Sequence, residues 1–414
     1  MTTTKRNPIV DIIRGFAMLL VVLGHTMSGT VSEYSDSLLF QIIWTLQMPL
    51  FIIISGYVTR YSRPLTDASG LWNFIKKRTL AYMLPWLVWT ILIRGLIFGQ
   101  TDFLNIKHLL WHMDSGYWFL VTIWTISMIF GIADCLSNKW FKDIRLNVIS
   151  HLALCGIVMV GLAAIGYFAG FGFFAIKLTL YYLPIYLLGY LYGKIQDWLT
   201  AKKNAKTIIN CVVVVALGLW LAAINRFDFY AGGDGALMIA GRFITSVLGC
   251  TTVIGLISAI CNGGGVEASR LDRSTLPGNL CHPLPVPEIS AGVGAARLVI
   301  DGRAAVTSAE LCTDIASDGR NHQVGARQQG YELSAVRQKR TEYLLNWVGI
   351  HSLEIYLIHG FSLCLLKLPT ETFLHSAIGW TLVVANFMIA VAMSCIYIKI
   401  IERNKLLNKI LYWK

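Results

Sequence analysis

The sequence predicts an all-α fold: a polytopic membrane helix bundle of about ten transmembrane helices with a cytoplasmic non-membrane insertion. Three observations carry this. Of 414 residues, 55% are hydrophobic and only 14% charged, a balance that soluble domains rarely reach. Apolar runs long enough to cross a ~30 Å hydrocarbon core as helices fall near 8–29, 38–58, 79–98, 117–136 and 147–168, then near 173–193, 208–225, 236–261, 343–366 and 376–401. Lys and Arg concentrate in alternate loops, the pattern of the positive-inside rule.

Taken in order, Lys5 and Arg6 precede the first run, which lacks a small-residue cleavage pattern and reads as a retained span. Arg60, Arg63, Lys76, Lys77 and Arg78 follow the second run. Lys139, Lys142 and Arg145 follow the fourth. The sixth, interrupted by Lys177 and Pro184, is followed by Lys194, Lys202, Lys203 and Lys206; Arg403, Lys405 and Lys409 follow the tenth. The intervening loops are poor in cations: 30–37 offers only Glu33 and Asp36, and 367–375 only Lys367 and Glu371. Both termini are therefore expected in the cytoplasm, which requires an even number of spans. The net charge of +12 reads as this topology signal and not as a nucleic-acid-binding surface. The nine Cys lack metal-ligand spacing, and no HExxH, GxGxxG, P-loop or GxSxG pattern occurs, so no metal site is expected.

Residues 263–340 break the pattern. They contain no Trp or Phe and a single Tyr, Tyr331, in a chain otherwise dense with aromatics. Such a composition predicts little core and a largely disordered segment. It divides the chain into a membrane domain, 1–262 with 341–414, and an atypical cytoplasmic insertion, 263–340. A long loop or small appended domain is one reading; a foreign insertion that impairs the protein is the other.

The first run carries DIIRGFAMLLVVLGH, with two ionisable groups in or beside hydrocarbon. A cation at a membrane helix centre costs about 2.5–3.5 kcal/mol even on the lowest scale. Arg14 and His25 lie eleven positions apart, about 16 Å of rise with an angular offset of about 20°, so both project from one face. Asp11 sits one turn before Arg14, a carboxylate beside a guanidinium. Arg14 snorkelling to the inner interface and His25 packed near the outer one is the plain alternative.

The ordered set DIIRGFAMLLVVLGH, MPLFIIISGY (48–57), FIKKRTLAYMLP (74–85), GYWFL (116–120) and SLEIYLIHGF (352–361) resembles the membrane-bound acyltransferase family 3, which includes bacterial O-acetyltransferases of surface polysaccharides. Family members have an Arg and a His separated by ten residues in the first span, matched here by Arg14 and His25. The resemblance implies an inner (plasma) membrane enzyme that takes an acyl group from cytoplasmic acyl-CoA, with acetyl-CoA the expected donor. The implied acceptor is a carbohydrate hydroxyl of a surface polysaccharide or its lipid-linked precursor; the partners are that carbohydrate, acyl-CoA and the lipid bilayer, with no nucleic acid. Acyl transfer needs a base for the hydroxyl proton, and neutral imidazole suits it, so His25 takes that role. Arg14 suits the donor's polar part, because guanidinium forks fit phosphate oxygens. The rise between the two matches the reach of an extended pantetheine arm.

Asp11, Lys77 and Arg78 join Arg14 as candidate donor-binding residues, plain topology signals being the alternative for the last two. Tyr117 and Trp118 read as an aromatic belt or as stacking partners for a sugar ring. Ser55-Gly56 reads as close helix packing. Glu354 and His359, five positions apart, share a helix face poorly. A transporter or flippase also suits many spans with intramembrane charges, but the two halves show no convincing internal repeat. A polysaccharide polymerase is a third class; it commonly depends on a large external loop, whereas the long loop here is expected in the cytoplasm. No motif names the acceptor sugar or the oligomeric state.

Overall fold

Asn7 opens the first helix. Its side-chain oxygen accepts from the Ile9 amide at 3.0 Å, and Pro8 occupies a first-turn position whose missing N–H no helix would use. From there α1 runs Pro8–Thr30 and α2 Leu38–Val58. The computed structural model describes residues 7–224, 226, 235–263, 341–365, 372–373 and 376–412. The remaining helices are α3 (Ala68–Leu87), α4 (Ile106–Trp111), α5 (Trp118–Trp140), α6 (Ile144–Ala169), α7 (Ile176–Thr200), α8 (Ala205–Ala223) and α9 (Ala236–Gly263). After them come α10 (341–350), α11 (Ser352–Leu365), α12 (Ala377–Glu402) and α13 (Lys405–Tyr412). A two-residue parallel pair, β1 (Val31–Ser32) with β2 (Thr372–Phe373), is the extended structure among the described residues. The fold is the expected all-α polytopic bundle.

Nine helices among the described residues are long and apolar enough to cross a membrane. The tenth expected run, 343–366, is present but divided at His351 into α10 and α11. The ladder nevertheless carries through: the His351 amide donates to Trp347 O at 3.1 Å and the Ile355 amide to His351 O at 3.0 Å. The third span departs most from expectation. It begins at Ala68 rather than near 79, because Asp67 caps it by accepting from the Gly70 amide at 3.2 Å. Lys76, Lys77 and Arg78 therefore lie on a helix. Past Pro85 the ladder widens into a π-helix over Val88–Ile97, with the Phe98 amide donating to Ile93 O at 3.0 Å.

The chain forms two compact units, Met1–Ser258 with Leu344–Lys414, and Ala259–Tyr343. In the second, 259–263 and 341–343 are described, and both are helical; the insertion 264–340 lies outside the described residues. In the first, α1 packs on α2, α11 and α12, while α2 packs on α7 and α3 on α5. α6 and α8 are peripheral. Ile157, Val160, Tyr167 and Phe168 of α6, and Val214 and Val215 of α8, are exposed, an apolar exterior that suits lipid rather than water.

Two helix crossings bring backbone onto backbone. A methyl group at Gly15 would overlap Leu345 O, and one at Gly349 would overlap Asp11 O; at Gly56 it would meet Tyr186 O, and at Gly189 Ile53 O. The glycines close α1 on α10 and α2 on α7, the small-residue packing expected of membrane helices. At the opposite end of α1, Asn386 Nδ2 donates to Thr30 Oγ1 at 2.9 Å. Intramembrane side-chain hydrogen bonds average about 0.6 kcal/mol, so Asn386→Ala should lower stability only slightly. Denaturant titration in mixed micelles checks this.

Candidate active site

The helix order fixes two ends of the bundle. One holds Asp11, Arg14, the α2–α3 connection and the start of α11; the other holds His25, the start of α5 and the end of α11. At the first end Asp11 is buried, and its Oδ1 lies 3.7 Å from Arg14 Nη1, the i,i+3 pair read from the sequence. The Gly15–Gly349 crossing sets this turn of α1 against α10. Directly after α10, His351 Nδ1 lies 3.6 Å from Glu354 Oε1 and 3.7 Å from Glu402 Oε1, linking α11 to α12.

At the second end the imidazole of His25 meets that of His359, with ring centroids 5.2 Å apart and planes tilted by 37°. His25 is exposed, whereas His359 is 5% exposed. His359 Nδ1 lies 3.1 Å from Ile355 O. A carbonyl oxygen only accepts, so Nδ1 carries the hydrogen and Nε2 keeps the lone pair. Tyr356, one turn earlier on α11, packs against His359 with centroids 5.9 Å apart. An open imidazole backed by a buried one of fixed tautomer is an arrangement for moving a proton.

The other candidates fall as follows. Tyr117 is buried; its hydroxyl donates to Leu357 O at 3.2 Å and its ring packs on Trp89 and Tyr356. It thereby braces the turn of α11 that carries His359. Trp118 stacks on Tyr182 at 5.8 Å. Lys77 is exposed on α3. Arg78 Nη1 donates to Tyr82 Oη at 3.1 Å, and its guanidinium lies 5.4 Å from the Phe74 ring centroid. Arg14 and His25 stay about three helical turns apart, and Met18, Val21 and Val22 on the face between them are buried. Gly56 is the packing residue the sequence suggested.

Sequence reasoning reaches His359 only weakly, because spacing relates it to Glu354 on its own helix and not to a residue on a distant span. Tyr356 escaped it as well, although the pair shares i,i+3 spacing within SLEIYLIHGF. Among the described residues no group of three or more His, Cys, Asp or Glu could hold a metal ion.

Comparison with known proteins matches residues 7–271 to the family model described as an acyltransferase domain. The nodulation protein NolL of Sinorhizobium fredii is 24% identical over 242 residues, covering 53% of this chain and 56% of the relative. NolL of Mesorhizobium japonicum is 25% identical over 210 residues, covering 47% and 50%. The chain thus spans about half the length of the curated relatives it matches. No solved structure matches it. With most of its length under the acyltransferase model and its apolar helices built into a membrane bundle, the chain belongs to the membrane-bound acyltransferase family 3.

Proposed function

We propose that the protein is an integral O-acyltransferase of the inner (plasma) membrane, with both termini cytoplasmic. It moves an acetyl group from cytoplasmic acetyl-CoA to a hydroxyl of a cell-surface polysaccharide or its lipid-linked precursor. The observation that carries the reading is the contact between the His25 and His359 rings, 5.2 Å between centroids. Acetyl-CoA supplies an acyl carbon activated as a thioester. His25, the exposed imidazole, takes the proton of the acceptor hydroxyl as its oxygen bonds to that carbon; the proton then passes to the departing sulfur as the carbon–sulfur bond breaks. His359 holds His25 from behind, and Arg14, Lys77 and Arg78 bind the donor's anionic part from the opposite end. Trp118 stands near the acceptor's entry.

The test compares surface glycan from cells with and without the protein, grown on isotope-labelled acetate. A glycan heavier by one labelled acetyl group only when the protein is present is the expected result. Glycan of identical mass in both, with the protein correctly inserted, would overturn the proposal.

A further inference from the structure

We infer that the cleft between the segment 59–65, α3, α5 and α7 is a nucleotide-phosphate site that holds the adenosine phosphate end of the thioester donor. The inference rests on the donor proposed above and names the place where that donor is gripped. Arg63, Arg78 and Lys194 come from three separate elements to line one cavity of about 70 Å³, with Asp134, Tyr190 and Phe130 also in its wall. A cavity of this size admits a phosphate group and leaves a nucleoside at the open mouth. Three cations face a single carboxylate there, a surplus that attracts an anion.

The cleft is built in advance. Asp134 Oδ2 accepts from the Leu65 amide at 2.9 Å, and Asn138 Nδ2 donates to Leu65 O at 3.1 Å. Both carboxylate and amide thus hold the 59–65 segment against α5. Arg78 is steadied by Tyr82 and Phe74, and Lys194 Nζ lies 5.3 Å from the Tyr190 ring centroid. Independent of charge is the Tyr190 hydroxyl. Tyr190 is 3% exposed, yet its Oη has no hydrogen-bond partner among the described residues. A buried hydroxyl is costly to leave unpaired, and Tyr190 stands in the cavity wall. His151, fully buried behind it, stacks on Tyr190 at 4.9 Å; its Nδ1 lies 3.9 Å from Asp134 Oδ1, and neither ring nitrogen has a hydrogen-bond partner among the described residues. A phosphate group set among Arg78, Arg63 and Lys194 satisfies the charge, and a shift of the Tyr190 side chain toward it pairs the hydroxyl.

The test uses the full-length protein in nanodiscs and titrates coenzyme A, adenosine 3′,5′-bisphosphate and inorganic phosphate by calorimetry. Wild type should bind the first two. The double variant R63Q/K194Q should weaken both about tenfold or more, as loss of charge-assisted contacts does. Tyr190→Phe keeps the ring and its packing, so it reports on the hydroxyl alone and should weaken both several-fold even if the double variant folds poorly. Undiminished coenzyme A binding in Tyr190→Phe and in a folded R63Q/K194Q would overturn the cleft assignment while leaving the proposed donor intact. Inorganic phosphate displacing coenzyme A as well as the adenosine bisphosphate does would overturn the nucleotide part. A wild type that binds no coenzyme A would sink the donor reading and the cleft together.

Discussion

His25→Gln should abolish acyl transfer, with a loss of about 10²–10⁴-fold, the range of positioned general-base catalysis. The amide keeps much of the imidazole's size and polarity but has no basic nitrogen, so the loss reports chemistry rather than packing. Because His25 is exposed at its end of α1, the variant should insert, purify and melt like wild type. His359→Gln should also reduce turnover, by less, because the buried ring acts through His25. Its signature is a fall in kcat with little change in the apparent KM for the donor, since the two imidazoles stand at the opposite end of the bundle from Arg14. Labelled acetyl transfer in membrane vesicles measures both. Full activity in a well-inserted His25→Gln protein would remove the base from the mechanism.

Gly189→Leu should cost more stability than any surface change. Its first side-chain carbon would already overlap Ile53 O and crowd the Tyr57 amide of α2, and neither is a flexible group that can turn aside. Overpacking a tight interior typically costs about 1–3 kcal/mol, occasionally more. Here the clash is with backbone along the most extensive helix pairing among the described residues, α2 on α7. The expected result is loss of monodisperse protein in detergent and of activity, although the substitution touches neither imidazole. Gly218→Leu provides the contrast. A Cβ placed there meets nothing within 4 Å among the described residues, and the protein should tolerate the substitution. Equal melting temperatures for the two variants would contradict the backbone-contact reading.

The spans were legible because hydrocarbon imposes length: each helix must stay apolar for about 20 residues, and such runs stand out without knowledge of packing. The first span's pairing of Asp11 with Arg14 was legible for a similar reason, helical geometry alone. What the sequence concealed depends on partners far away in the chain. The start of α3 was missed because WNFIKKR mixes apolar and basic residues on a helix that leaves the bilayer, and its marker, Asp67, is a single capping residue. α13 was missed because it is short and amphipathic, with Leu406, Leu407 and Ile410 exposed while Tyr412 is buried against Trp89. His359 looked ordinary on α11; only the packing of that helix against α1 gives it an imidazole neighbour. Trp118 and Tyr117 were adjacent in sequence and read alike, yet one stacks on Tyr182 and the other is buried beneath α11.

The contact of α1 with α10 and α11 has a consequence for biogenesis. Besides α2, the first helix to leave the ribosome docks on α10, α11 and α12, so α2–α9 are all synthesised before Gly15 can meet Gly349. Until then His25 has no His359 beside it. The pairing of the two imidazoles is thus a late event of biogenesis, and a chain cut short before α11 lacks it.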